Sequence, residues 1–202
     1  MEQGNDYETL LNICRARKSS RSFDDRPVPM DLLGKIREIA FTSPYASGRK
    51  NWEITVVSDR ELLGKMAEAT ERRIRQIEKK VRPDMKNYFS SYARNFTFFA
   101  EAPAVFVPIF RAAPSLSLML PDPGQDILQW ESDSYVKSIS CVAMLVLLAA
   151  ESLGLGACYV TGALIAEQEL GHLLDLPAGR NIGALIPVGY KPIPVDLDRT
   201  VR

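Results

Sequence analysis

Cys141-Val142-Ala143-Met144-Leu145-Val146-Leu147-Leu148-Ala149-Ala150, followed by Glu151-Ser152-Leu153-Gly154-Leu155-Gly156, organises everything around it. From Ser134 to Leu153 the pattern is helical, and from Cys141 onward it is apolar almost all round, as in a helix buried at the centre of a domain. Gly154-Leu155-Gly156 ends it. The apolar run is far shorter than the ~20 residues a bilayer span requires, so the reading is a core helix with no membrane association. Gly154-Leu155-Gly156-Ala157-Cys158-Tyr159-Val160-Thr161-Gly162 is not the dinucleotide fingerprint, because a long helix precedes it rather than a strand. Glycines around small residues can still turn backbone N–H groups toward a ligand.

Upstream, Tyr7, Leu10, Leu11 and Cys14 recur at helical spacing and predict a helix from about Asp6 to Ala16. Pro29 opens a second helix whose stripe is Leu32, Leu33, Ile36, Ile39 and Ala40, ending before Ser43-Pro44. Ile54 to Val57 is a β-branched run that reads as a buried strand. Leu62, Leu63, Met66, Ile74, Ile77 and Val81 lie on a long amphipathic helix, with Arg72, Arg73, Arg75, Glu78, Lys79 and Lys80 on its solvated face. Pro83 closes it. Pro103 to Val107 reads as a second strand, and Pro108 to Asp133 as a Pro-rich irregular insertion containing Phe110 and Trp130. A short helix from Glu167 to Leu174 and a strand from Ile182 to Tyr190 complete the pattern. Helices and strands mix without βαβ alternation, so the expected class is α+β in a single domain over residues 1–202.

Composition narrows the function. In 202 residues, 25 Lys plus Arg balance 25 Asp plus Glu, which leaves no basic excess for nucleic-acid binding. Three dispersed cysteines and the lone His172 offer no metal-ligand cluster. The cysteine usage and the polar Met1 to Asp6 start suit the cytoplasm. Cys158 reads as a small buried thiol.

Two segments carry possible chemistry. Arg17-Lys18-Ser19-Ser20-Arg21 combines three cations with hydroxyls and loop backbone, a donor set for a phosphate dianion; the same residues could equally cap the preceding helix. Ser43-Pro44-Tyr45-Ala46-Ser47-Gly48-Arg49-Lys50-Asn51-Trp52 suits either close approach to a planar ligand or an ordinary helix-to-strand loop.

Order and combination add a resemblance. Arg17-Lys18-Ser19-Ser20-Arg21-Ser22-Phe23 with Pro27-Val28 resembles the opening motif R-R-S-x-R-x-F…P-V of the FMN-dependent nitroreductase family. Ser43 to Trp52 is similar to its A-P-S-A-x-N-x-Q-P-W motif, Ala149 to Tyr159 to A-A-x-x-L-G-L-G-x-x-W, and Leu176-Pro177 with Ala184 to Tyr190 to its closing strand. Gly48, Lys50 and Asn51 stand where the family commonly has Asn, Gln and Pro, and Tyr45 replaces a small Ser.

The resemblance implies a nitroreductase-like fold: a central mixed or antiparallel sheet surrounded by helices, in an intertwined homodimer with FMN at the subunit interface. It also implies an NAD(P)H-dependent reductase of nitroaromatics, quinones or related small acceptors. Arg17, Lys18, Ser19 and, from the tail, Arg199 would hold the phosphate. Arg21 would lie at the flavin N1 and O2 edge, where a fixed cation at ~4 Å and an effective dielectric of ~20 is worth about 4 kcal/mol before desolvation. Pro44, Tyr45, Ala46 and Ser47 would pack from the other subunit; Lys50, a departure from the motif, would stand near the pyrimidine ring or equally point to solvent. Val160, Thr161 and Gly162 would present backbone to the N5 edge. No side chain acts as a nucleophile, since the flavin carries the chemistry. A flavin-binding regulatory or storage module, or a dehydrogenase, dehalogenase or flavin-fragmenting enzyme on the same fold, are the alternatives.

Overall fold

The computed structural model describes residues 3–46, 51–113 and 115–192. Helices α1 (Gln3–Ala16) and α2 (Met30–Ala40) precede strand β1 (Trp52–Val57) and the long helix α3 (Arg60–Glu78). Helix α4 (Lys86–Ala93), strand β2 (Ala104–Phe110), helix α5 (Gln125–Ser152) and strand β3 (Leu155–Ala157) follow. Helix α6 (Glu167–Leu173) and strands β4 (Asn181–Ile182) and β5 (Ile186–Tyr190) complete the order.

The strands form one sheet in the order β1-β2-β5-β3, with β4 also on β2, and every pairing between them is antiparallel. Strand β2 is central, and all seven of its residues are buried. Its alternate side chains feed two cores. Ala104, Phe106 and Phe110 face α2 and α5 with Ile36, Ile139 and Val146, whereas Val105, Val107 and Ile109 face α3 and α6 with Leu63, Met66 and Leu170. A strand covered on both faces has no polar side to show, which accounts for its unbroken apolar sequence.

The expected α+β class, with a central antiparallel sheet surrounded by helices, is what the structure has. Helix α5 packs by its apolar half on the sheet and on α2. It is the one described helix long and apolar enough to cross a membrane by length and composition, and its Ile139, Val142, Ala143, Val146, Ala149 and Ala150 are buried in the core. Gly154, at φ +74°, terminates it in the left-handed region that a side chain would strain. Asp59 caps α3 by accepting the N–H groups of Glu61 and Leu62 at 2.8 and 3.3 Å.

Several expected boundaries are corrected. The long helix already ends at Glu78, short of Val81, and Pro83 beyond it begins a single 3-10 turn that leads into α4. Strand β2 continues through Pro108, whose carbonyl accepts the Gly183 N–H at 2.8 Å although the residue donates nothing. The irregular insertion is therefore only 111–124, because β2 runs to Phe110 and α5 starts at Gln125. Phe110 is a buried strand residue, and Trp130 is an exposed helical one. The expected strand Ile182 to Tyr190 is split, since Leu185 leaves the sheet path to exchange two 2.9 Å hydrogen bonds with Val160.

Candidate functional site

The chain leaving α1 runs beside β3. Ser19 forms a parallel bridge with Ala157, Ser20 N–H donates to the Ala157 carbonyl at 3.0 Å, and Asp24 N–H donates to Tyr190 at 2.9 Å. Gly156 permits this approach: a Cβ there would come within 2.8 Å of the Ser20 Cβ. Arg17, Lys18 and Arg21 are thereby brought to the sheet edge where the 158–162 segment begins. Among the described residues none of these three cations forms an ion pair.

Three concavities meet at Tyr159, which is 39% exposed. One, of about 320 Å³, is lined by Arg17, Ser19 and Tyr159 against Ser140, Met144 and Leu147 of α5. A second, of about 120 Å³, joins Arg21 to the Cys158–Gly162 backbone and to Asn95, Phe96 and Phe98. The third, of about 320 Å³, runs from Tyr159 and Thr161 past Val136, Leu164 and Glu167 to Asn181. The Tyr159 hydroxyl lies 3.5 Å from that of Ser140. Arg17, Ser19, Arg21, Val160, Thr161 and Gly162 are thus brought together around one residue. Lys18 is exposed beside them and lines neither cationic cavity.

The Pro44–Ala46 segment sits elsewhere. Ala46 N–H donates to Ser138 Oγ at 3.1 Å, and the Tyr45 ring packs on Trp52 and Tyr135 with centroids 5.9 and 6.0 Å apart. Burial, followed by the neighbouring Tyr135, pushes the Tyr45 phenol up to about 12, so it stays a neutral donor. Its hydroxyl is buried with no hydrogen-bond partner among the described residues. Pro44, Tyr45 and Ala46 do not line the cavities that hold Arg17 and Arg21. Ser47, Lys50 and Arg199 lie outside the described residues. Cys158 is buried, and Cys14 and Cys141 are exposed free thiols.

Some residues at the site were not anticipated. Asn95, Phe96 and Phe98 flank Arg21, and the signal for them was the aromatic-rich stretch Tyr88-Phe89…Tyr92…Phe96…Phe98-Phe99. Glu131 is another. It is 7% exposed, and its carboxylate accepts the N–H groups of Ser115, Leu116 and Ser117 and the Ser117 hydroxyl. The Ser117 hydroxyl, and after it those N–H groups, hold the carboxyl at about 2 against the opposing effect of burial. A depressed carboxyl contributes stability that is complete above its ordinary value near 4.5 and is lost as pH falls toward 2. Thermal melts of Glu131→Gln are expected to show a shallower fall between pH 4.5 and 2 than the wild type; equal slopes would contradict the assignment.

Comparison with known proteins follows the same geometry. The profile of the Nitroreductase family matches residues 14–190, from the end of α1 through β5. The chain belongs to the nitroreductase family. A relative from Archaeoglobus fulgidus, provisionally named an NADH dehydrogenase/NAD(P)H nitroreductase, is 27% identical over 187 residues, covering 91% of this chain and 86% of its own. A BluB-like flavoprotein from Clostridium difficile 630 superposes with a TM-score of 0.81 at 23% identity, over 91% of this chain and 90% of the other. An iodotyrosine deiodinase bound to FMN and 3-iodo-L-tyrosine superposes with a TM-score of 0.69 at 22% identity, over 91% and 90%. The fold of this nitroreductase-family chain is that of its flavoprotein relatives.

Proposed function

We propose that this nitroreductase-family chain is an FMN-dependent oxidoreductase that takes electrons from NADH or NADPH and passes them to small organic acceptors such as nitroaromatics and quinones. The observation that carries the reading is the convergence of Arg17 and Arg21, neither paired with a described carboxylate, on cavities that meet at Tyr159 in the 158–162 segment. This donor set fits FMN. Arg17 and Ser19, with Lys18 beside them, supply charge-assisted donors for a phosphate, and Arg21 offers its guanidinium to the electron-rich pyrimidine edge. Val160, Thr161 and Gly162 present backbone to the N5 edge.

When bound, FMN supplies hydride and single-electron transfer between donor and acceptor. The protein's part is electrostatic and steric. Arg21 favours the negative charge that builds up on reduction, and needs no reorganisation because the strip is already fixed to β3. Phe96, Phe98 and Tyr159 line the cavity beside Arg21 and would give the bound group apolar contact. No side chain forms a covalent bond or needs to change protonation state.

The active unit is a homodimer. Tyr7 and Leu10 on α1, and Val136 and Met144 on α5, are 65, 56, 48 and 49% exposed on two helices that pack together, an apolar face that a second copy covers. This arrangement lets the Pro44–Ser47 segment reach the other subunit's flavin, consistent with the absence of Pro44, Tyr45 and Ala46 from the cationic cavities. To the same reading belong Lys50 and Arg199, which the resemblance assigns to the pyrimidine ring and the phosphate, a single domain over 1–202, and a cytoplasmic setting, which free thiols suit.

Two measurements check this. Protein loaded with FMN is expected to lose its yellow colour within seconds of anaerobic mixing with NADH or NADPH, and to regain it with a nitroaromatic or quinone. Retained colour with both nicotinamides would support a binding module instead. Tyr7→Asp/Leu10→Asp is expected to raise the dimer dissociation constant at least about tenfold in sedimentation, with FMN lost in parallel; a monomer that keeps its flavin contradicts the shared site.

A further inference from the structure

The cavity of about 320 Å³ that runs from Tyr159 and Thr161 to Asn181 has mostly apolar sides, given by Phe110, Val136, Ile139 and Leu164. Glu167 is the one charged side chain among the described residues that line it. It opens α6, and its Oε1 accepts the Ile182 N–H of β4 at 2.8 Å. Among the described residues, its Oε2 accepts no hydrogen bond and the carboxylate has no ion-pair partner.

Holding β4 does not require that charge. One backbone N–H needs only an oxygen, which an amide would supply without taking a charge half out of water. The favourable place of an acid at the start of α6 is shared by Glu169, which is exposed in the same first turn. Beyond Glu167 and Asn181, which line both, a further cavity of about 340 Å³ opens between α6 and the 176–181 turn. Its Arg180 has Glu53 4.0 Å away, so that cation is already partly answered, and its His172 is exposed to solvent. Glu167 therefore sets the sign of the potential where the two cavities join.

We propose that Glu167 is a specificity-determining residue that selects the charge of the acceptor: aromatic acceptors carrying an ammonium or similar cationic donor are preferred over those carrying a carboxylate or sulfonate. The inference rests on the functional reading above, because this cavity joins the two cationic ones at Tyr159, where that reading sets the flavin. An aromatic ring fits the apolar sides, and its cationic substituent meets Oε2 in a charge-assisted hydrogen bond. A carboxylate in the same place meets a like charge across apolar walls that screen it poorly. Val136 belongs to the exposed apolar face assigned to the second copy, so the dimer encloses the cavity further and sharpens the discrimination.

The test uses the FMN-loaded dimer and probes of one shape: 4-nitrobenzylamine, cationic at neutral pH, the neutral 4-nitrobenzyl alcohol, and anionic 4-nitrobenzoate. Calorimetric titration of the oxidised enzyme gives dissociation constants without turnover. Steady-state reduction to the nitroso compound, which takes two electrons from reduced flavin and two protons and releases water, gives kcat and KM. Wild type is expected to bind the amine at least about tenfold more tightly than the benzoate, with the alcohol between them. KM should follow the same order at similar kcat. Glu167→Gln keeps an acceptor for the Ile182 N–H and should bring the amine-to-benzoate ratio to within about twofold of one. Glu169→Gln, which lines neither cavity, should keep the wild-type ratio. Asn181→Asp adds a carboxylate on the shared wall and should raise the ratio at least about threefold.

The calorimetric ratio decides. A wild type that binds amine and benzoate alike overturns the proposal, as does a Glu167→Gln variant that keeps the preference. A charge-blind wild type whose dimer loosens in sedimentation on Glu167→Gln overturns it too, since Glu167 would then pair with a cation of the second copy. If Glu167→Gln does not fold, Asn181→Asp decides alone, and an unchanged ratio overturns the assignment. Wild-type protein that binds no FMN refutes the functional reading and this inference with it; a flavoprotein that reduces the alcohol but ignores charge refutes this inference alone.

Discussion

Replacing Arg17 and Arg21 together with Ala is expected to weaken FMN binding at least tenfold, read as the quenching of flavin fluorescence on titration. A charge-assisted hydrogen bond contributes about 1.5–3 kcal/mol, and two of them would give more than this if fully buried. Arg17 is half-buried and Arg21 exposed, so solvent screening reduces the sum, and tenfold, about 1.4 kcal/mol, is the lower bound. The loss should come without unfolding, because neither side chain forms an ion pair or a core contact among the described residues. Added salt should weaken the wild type more than the variant, since the variant has already lost the screened attraction. Arg72→Ala, on the solvated face of α3, serves as the control and should bind FMN as the wild type does. An unchanged titration of the double variant would remove the basis for assigning the strip to the cofactor.

Gly162→Ala is expected to lower both stability and flavin affinity. A Cβ at Gly162 would lie closer than 3 Å to three ring atoms of Phe96. Phe96 has little room to retreat: it is 7% exposed and stands edge-on to Tyr92 with centroids 4.9 Å apart. Overpacking of this kind costs about 1–3 kcal/mol, which in a chain of this length lowers Tm by roughly 2–12 °C. The same displacement moves the backbone proposed to meet the flavin N5 edge, so the flavin titration should weaken as well. Phe96→Leu in the Gly162→Ala background removes the colliding ring edge and should recover part of the Tm. A single variant that melts and binds like the wild type would show that the 160–162 segment is not held against Phe96.

The strongly periodic helices were legible from the residues alone, and their positions followed from the apolar spacing on α2, α3 and the second half of α5. The errors have local causes. The first two turns of α5 lack an apolar stripe; polar bonds hold them, such as Gln129 Nε2–H to Asp133 Oδ1 at 2.7 Å and the Ser134 hydroxyl to the Trp130 carbonyl at 2.8 Å. Helix α4 is short, and Tyr88 and Tyr92 on it are exposed, so burial leaves little periodic mark there. Proline was read as a strand end at Pro108, where the chain needs only an acceptor.

At the site, the order of motifs along the sequence picked out Arg17, Ser19, Arg21 and Val160 to Gly162, and the structure brings these together. What no local pattern shows is the tertiary pairing of a single carboxylate with a turn fourteen to sixteen residues away, which is how Glu131 escaped notice. Nor does spacing reveal that Tyr159, in the middle of a small-residue run, stands where three cavities meet.

The most direct measurement is a crystal structure of the protein grown with excess FMN. It should show a phosphate against Arg17 and Ser19, the pyrimidine edge at Arg21, the N5 edge along Thr161 and Gly162, and Tyr45 of a second copy beside the ring. A crevice filled by the chain's own side chains, or a flavin bound away from these residues, would contradict the account.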